Sequence, residues 1–303
     1  MAMLEATGPV EPAAVGDWLT RRTRIEATMA ALGAQWPAQP DVTGTAFTAE
    51  ADDGTPIALR WYTRADGASG PGVVYLHGGG MILGSVSLYE ATIMRYVASS
   101  GVPMLAVDYR VAPEHPQLTP VSDCYAGLCW LAEHATELGV DPTRIGVMGD
   151  SAGGGLAAGV ALLARDRGGP ALAKQILVYP MLDDRTTTPD PHLLPFATWT
   201  YDDNVTGWEA LLGASAGGKD VSPYAAPARV QDPAGLAPAY IEVGALDIFR
   251  DECVEYARRL SAGGVGTELH LHPGVPHAFE AFAPDADVSR RSAADRIRAL
   301  RDL

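Results

Sequence analysis

From about residue 44 onward, short apolar or β-branched runs alternate with longer stretches of helical periodicity, and this alternation constrains the fold more than any other feature of the chain. Residues 72–76 (GVVYL) carry no charged or amide side chain, the pattern of a strand buried on both faces, as in a parallel sheet flanked by helices. The same reading places strands at 44–49, 56–63, 103–108, 144–149, 175–180, 239–244 and 267–274. Helices are expected at 86–99, 119–138, 151–167, 250–262 and 286–301. Asp52-Asp53-Gly54 between the first two strands is a turn signal, so those two form a hairpin at an antiparallel edge. The rest predicts an α/β architecture: a mostly parallel eight-stranded sheet with helices on both faces.

Two segments fall outside the alternation. Residues 1–40 look helical, with Trp18, Met29 and Trp36 as apolar anchors. Residues 183–222 carry Phe196, Trp199, Tyr201 and Trp208 among Pro, Asp and Gly. A structureless loop of that length is unusual inside a compact domain. Both are read as parts of one helical cap over the C-terminal edge of the sheet, where α/β proteins bind ligands. The chain then divides into a cap segment (1–40), a first part of the α/β domain (41–182), a cap insertion (183–222) and a second part of the α/β domain (223–303).

Charge narrows the partners. With 22 basic and 37 acidic residues the net charge is −15, which repels nucleic-acid phosphates and anionic membrane surfaces. No run of 18 uncharged apolar residues offers a membrane span. The cysteines, Cys124, Cys129 and Cys253, are odd in number and lack zinc spacing, so neither a disulfide framework nor a metal site is expected. Acidic and proline residues occupy the N-terminus where a signal peptide would be apolar. A cytoplasmic globular protein is the expectation.

The chemistry concentrates in four places. Gly149-Asp150-Ser151-Ala152-Gly153 is a G-x-S-x-G pattern between a buried-type strand and a helix-compatible run. That spacing suits a serine on a sharp turn, with glycines keeping Cβ atoms out of a crowded neighbourhood. His77-Gly78-Gly79-Gly80 directly follows the strand 72–76. Backbone N–H groups of Gly79 and Gly80, joined by that of Ala152, are candidate donors to an oxyanion. A phosphate loop would need Lys and Ser/Thr in Walker spacing, and neither is present. His77 is read as a brace for the loop. Among seven histidines, His277 stands after the last strand, where a general base belongs. His270 and His272 share one face of that strand, read as a solvated face. Asp247, three residues past the strand 239–244, is the carboxylate to orient the base, while Asp251 and Glu252 are read as charge complements to a helix N-terminus. The order Ser151, Asp247, His277 is that of α/β-hydrolase triads.

Together with Asp108-Tyr109-Arg110-Val111-Ala112-Pro113-Glu114-His115-Pro116, read as a buried structural turn, these motifs resemble the bacterial hormone-sensitive-lipase-like carboxylesterases. The resemblance implies the α/β-hydrolase fold, a cap built from the N-terminal segment and an insertion after the sixth strand, and hydrolysis of short- to medium-chain acyl esters without metal or cofactor. It also implies pairing into homodimers through the edge strand and terminal helix, which the charged helix 286–301 permits. Met81 follows the glycines where an aromatic residue is common, which bears on the shape of the acyl pocket. With Phe196, Trp199 and Trp208 of the cap it makes up the expected substrate-binding set. Two other readings stay open at this level: an amidase or deacetylase on the same fold, and a non-catalytic binding module.

Overall fold

A computed structural model describes residues 12–65, 67 and 70–303. The first two strands, β1 (Val42–Glu50) and β2 (Pro56–Arg64), form the expected antiparallel hairpin, in register from Val42↔Arg64 to Glu50↔Pro56. β2 pairs antiparallel with β4 (Met104–Val107). From β4 the ladder is parallel, through β3 (Gly70–Leu76), β5 (Val140–Asp150), β6 (Lys174–Val178), β7 (Ala239–Gly244) and β8 (Thr267–His272). The sheet order is β1-β2-β4-β3-β5-β6-β7-β8. The central strands are apolar on both sides because both sides are covered: Val73 to Leu76, all of β4 and Ile176 to Val178 are buried.

Crossovers are made by α2 (Val86–Ser100), α3 (Thr119–Glu133), α4 (Ala152–Arg167) and α6 (Arg250–Ala262), and α8 (Asp287–Arg301) closes the chain. α2 packs beside α8 and α3 beside α4, while α6 lies along β7 and β8. Gly168, φ +61°, ends α4 where the glycine pair predicts a stop. Most boundaries agree to within two residues, and two move further. β5 starts at Val140, four residues early, because Val140 pairs with Gly70 at the start of β3. α3 ends at Glu133 rather than 138, with His134 as its C-cap.

The reading of β8 is inverted by the structure. Its exposed residues are Leu269 and Leu271. His272 is buried, with Nε2 3.8 Å from a Glu242 carboxylate oxygen, and His270 lies between Glu268 (2.6 Å) and Asp295 of α8 (3.6 Å). Alternation fixed which residues share a face, but α8 covers the histidine face and leaves the leucine face open.

The two irregular segments contain α1 (Trp18–Gly33) and α5 (Tyr201–Leu212), which touch each other. Residues 1–11 of the expected cap segment lie outside the described residues. Trp18, Ile25 and Met29 pack half-buried against the core, and Trp36 lies under the Arg95 guanidinium, 3.5 Å from the ring centre. The only fully buried side chain of α1 is charged: Arg21, whose Nε donates to Asp203 of α5 at 2.7 Å. Asp203 also closes a capping box with Thr200 at the start of α5. Among the described residues no helix is long and apolar enough to cross a membrane.

Candidate active site

The site lies at the C-terminal ends of β3, β5, β7 and β8. At the end of β5 the chain turns sharply into α4, and Ser151 adopts φ +57°, ψ −119°, which a non-glycine residue takes up only under tertiary constraint. The constraint is visible. Ser151 N–H donates to the Val178 carbonyl, and the Ser151 carbonyl accepts from Met181 N–H (2.8 and 2.9 Å). The flanking glycines are sterically required: a Cβ on Gly149 would stand 2.1 Å from the Gly153 carbonyl oxygen, and one on Gly153 2.0 Å from that of Leu76.

Past β7, Asp247 is fully buried and accepts from Phe249 N–H at 2.9 Å. Past β8, His277 faces both partners. Its Nδ1 is 2.7 Å from Asp247 Oδ2 and its Nε2 is 2.9 Å from Ser151 Oγ. A backbone-oriented carboxylate, an imidazole and a hydroxyl thus form one hydrogen-bonded line. Nδ1 donates to the carboxylate, which leaves Nε2 free to accept the hydroxyl proton. The imidazole is held between two aromatic edges, Tyr179 at 4.6 Å and Phe249 at 5.1 Å between ring centres.

The glycine loop after β3 lies against the same hydroxyl. A Cβ on Gly78 would reach 3.3 Å from Ser151 Cβ and 2.6 Å from the Tyr89 hydroxyl. Gly79 (φ +126°) and Gly80 (φ +57°) turn the loop, and the N–H groups of Ile82 and Leu83 close onto the Gly79 carbonyl. Ala152 opens α4, so its N–H belongs to the first helical turn, where backbone donors lack intrahelical acceptors. His77 braces the loop: Nδ1 donates to the Gly78 carbonyl at 2.8 Å, the ring stacks on Tyr109 at 4.2 Å, and burial holds its pKa below the ordinary imidazole value. The Tyr109 hydroxyl donates to the His77 carbonyl, and Arg110 is clamped by Asp123 and Asp53, so the Asp108–Pro116 run is a hydrogen-bonded turn.

Of the four residues expected to meet substrate, Trp199 comes nearest this loop. A Cβ on Gly80 would fall 2.3 Å from Trp199 Cη2, so the indole lies on the glycine backbone, with its buried Nε1 unpartnered. Trp208, in α5, is also buried with Nε1 unpartnered. Met81 is buried with φ +65° and approaches Gly155 of α4. Phe196 is half exposed on a short 3-10 turn, Leu194–Phe196. The neighbouring Thr198 hydroxyl donates to the His277 carbonyl at 2.7 Å, which ties the insertion to the imidazole loop.

Two buried polar groups escape the sequence reading. Glu252 stands in the first turn of α6, where the sequence reading put it, but does more there than complement a helix N-terminus. It is buried and accepts from Leu182 N–H (2.6 Å), Asp183 N–H (3.3 Å) and the Thr186 hydroxyl, and burial drives its pKa well above the carboxylate range. Its partners lie 66–70 positions away in sequence. Behind His277, Arg296 of α8 joins Glu242 of β7, Glu280 (2.6 Å) and the Tyr96 hydroxyl (2.9 Å). The Tyr179 hydroxyl donates to the same Glu280 oxygen at 2.8 Å, so the ring that flanks His277 is held by an ion cluster rooted in the last helix. Burial raises the Glu242 carboxyl, but the Arg296 guanidinium and the neighbouring His272 and Tyr240 side chains outweigh it and hold the group at about 2. Asp150, beside Ser151, is pushed up to about 7 by burial, with only the Tyr75 hydroxyl (2.7 Å) donating to it among the described residues.

Comparison with known proteins agrees with this architecture. A family described as "alpha/beta hydrolase fold" matches residues 73–281. Esterase LipI of Mycobacterium tuberculosis is 37% identical over 237 residues, 75% of this chain and 72% of that one. Carboxylesterase NlhH of the same organism is 39% identical over 222 residues, 70% of this chain and 67% of that one. Among solved structures, a bacterial heroin esterase superposes with a TM-score of 0.90 at 37% identity over 99% of this chain and 96% of that one. An esterase of the archaeon Pyrobaculum calidifontis gives 0.86 at 32% over 99% and 95%. With the serine elbow, the glycine loop and the β-strand order all in place, the chain belongs to the hormone-sensitive-lipase-like carboxylesterases of the α/β-hydrolase fold.

Proposed function

We propose that the protein is a serine esterase that hydrolyses short- to medium-chain carboxylic esters through an acyl-enzyme. The observation that carries this reading is the unbroken Asp247–His277–Ser151 hydrogen-bond line at the mouth of the glycine loop. Ser151 Oγ attacks the ester carbonyl while His277 Nε2 takes its proton. Asp247 holds the imidazole tautomer and stabilises the imidazolium. Gly79, Gly80 and Ala152 donate to the oxyanion, each such donor contributing about 3 kcal/mol at the transition state. The same imidazolium then protonates the departing alcohol. Water, activated by His277, releases the acid and restores the serine. Met81, Trp199, Trp208 and Phe196 line the substrate channel, with Trp199 beside the oxyanion donors and Phe196 at its mouth. Their apolar surface favours aliphatic or aryl groups over charged ones.

The free thiols Cys124, Cys129 and Cys253 support a reducing, cytoplasmic setting. The open leucine face of β8 supports a homodimer across that edge, which sedimentation at micromolar concentration tests; a monomer there removes it. Catalysis is tested by Ser151→Ala. On p-nitrophenyl butyrate kcat falls by about 10⁵-fold or more and fluorophosphonate labelling disappears, while the melting temperature stays close to that of the wild type. Wild-type turnover in that variant would assign the nucleophile elsewhere. An acyl-length series, run beside matched anilides, then fixes the substrate class.

A further inference from the structure

The oxyanion loop has a glycine backbone and few side chains of its own with which to be held. Residues 79–84 contain three positive-φ glycines, and Met81 carries a left-handed φ of +65° that a non-glycine residue keeps only when its surroundings impose it. Part of those surroundings is α1. Arg22 reaches from that helix across to the loop: its Nε donates to the Ile82 carbonyl at 2.6 Å and its Nη2 to the Ala112 carbonyl at 3.0 Å. Ala112 N–H in turn donates to the Met81 carbonyl at 2.8 Å. Both Nη atoms meet the two oxygens of Glu114 at 2.7 Å, a bidentate fork that fixes the guanidinium plane. One turn further along α1, Glu26 accepts from Gly84 N–H at 3.1 Å. The loop is therefore gripped by a carbonyl at Ile82, a carbonyl at Met81 through Ala112, and an N–H at Gly84, and two of these grips trace to one arginine.

We propose that Arg22, with Glu26, is a positioning residue for catalysis, and that α1 acts as the outer clamp of the oxyanion hole rather than as a cover over it. Arg22 touches no reacting atom. It acts through the loop, because hydrogen bonds to a developing oxyanion lose most of their value when the donors shift by a few tenths of an ångström. The ground-state ester does not depend on this geometry as the tetrahedral intermediate does, so the clamp acts on kcat. It follows that a lifting of α1 from the domain leaves the triad intact and the oxyanion hole unmade. The inference rests on the esterase reading above.

The test compares Arg22→Ala, Arg22→Lys, Glu26→Ala and the outward-facing control Thr23→Ala in the full chain, using p-nitrophenyl butyrate and an arylboronic acid that forms a tetrahedral adduct with the serine. Arg22→Ala is expected to lower kcat at least tenfold with KM within about threefold, and to weaken the boronic acid by a matching factor. Arg22→Lys restores part of the loss, since the ammonium reaches one carbonyl but cannot reproduce the fork. Glu26→Ala lowers kcat severalfold, and Thr23→Ala behaves as wild type. Folded Arg22→Ala with kcat within twofold of wild type, or with its whole effect in KM, overturns the proposal. If Arg22→Ala does not fold, an unchanged kcat in Glu26→Ala, which removes the acceptor for Gly84 N–H, overturns it instead. Absence of ester hydrolysis in the wild type defeats the esterase reading, whereas an active wild type with a silent Arg22 defeats only the clamp.

Discussion

The two halves of the active site are held by different physics. Ser151, Asp247 and His277 stand on loops that leave buried parallel strands, and what keeps them in place is packing without room: glycine backbones against carbonyls, aromatic edges against the imidazole, and a buried ion cluster at Arg296 behind them. The glycine loop is held from the opposite side by α1, whose grips on it are polar, long-range and partly open to water. Arg21 and Arg22 illustrate the second arrangement. Adjacent on α1, they point to different bodies, Arg21 to α5 of the insertion and Arg22 to the oxyanion loop. A scaffold built on close packing fails all at once, whereas one built on solvated polar grips loosens in part.

The largest expected difference lies between two buried arginines. Arg296→Met strands the Glu242 and Glu280 carboxylates and is expected to cost about 3–5 kcal/mol of stability in urea unfolding. Arg21→Met removes a contact whose carboxylate, Asp203, is already partly exposed, and α1 can lift to let water reach it, so the global cost is expected near 1–2 kcal/mol, with faster proteolysis at α1. Equal losses would erase the distinction drawn above. Next come two glycines. A methyl on Gly153 meets the Leu76 carbonyl at 2.0 Å and is expected to destabilise by about 2–3 kcal/mol. A methyl on Gly207 of α5 meets the Gly80 carbonyl at 2.7 Å, which a small withdrawal of α5 relieves. Alanine's better helix propensity offsets part of that cost, so Gly207→Ala is expected to change stability by less than about 1 kcal/mol while lowering kcat severalfold.

The smallest effect is in pH dependence, and it divides the core's own carboxylates. Glu242, held at about 2, stabilises the fold above the ordinary carboxylate range, and that contribution fades as pH falls from about 4.5 toward 2. Asp150, raised to about 7, has the opposite sign: between about 4 and 7 the unfolded chain has released a proton that the folded chain still holds, so stability declines as pH rises through that window. Asp150→Asn is expected to flatten this decline, which amounts to about 1 kcal/mol per pH unit or less, with the variants converging in slope above pH 7. Parallel stability curves for the two proteins from pH 4 to 7 would show that Asp150 does not hold its proton.

The same division explains what the sequence discloses. Strands β3 to β7 are legible because burial on both faces leaves apolar runs, and the serine elbow is legible because a carbonyl 2 Å from a would-be Cβ admits only glycine. His277 and Asp247 follow from their places after strands. The polar grips leave no such trace. Glu252 looks like any acidic residue in a first helical turn until its donors, some 70 positions earlier, fold over it. Arg296 sits in a helix that reads as charged and solvated, and Arg22 is one arginine in a run of them. On β8, alternation grouped the histidines correctly, but which face α8 covers is decided by tertiary packing alone.

The run of glycines along α4 has a consequence for altering what this chain accepts. Methyl groups on Gly153, Gly154, Gly155 and Gly159 would each come within 3 Å of another part of the chain, so the glycine face of the helix behind Ser151 has no latitude for mutation. Diversification aimed at new acyl or alcohol groups must spare that face and draw on positions such as Leu194 and Phe196, whose side chains are half exposed.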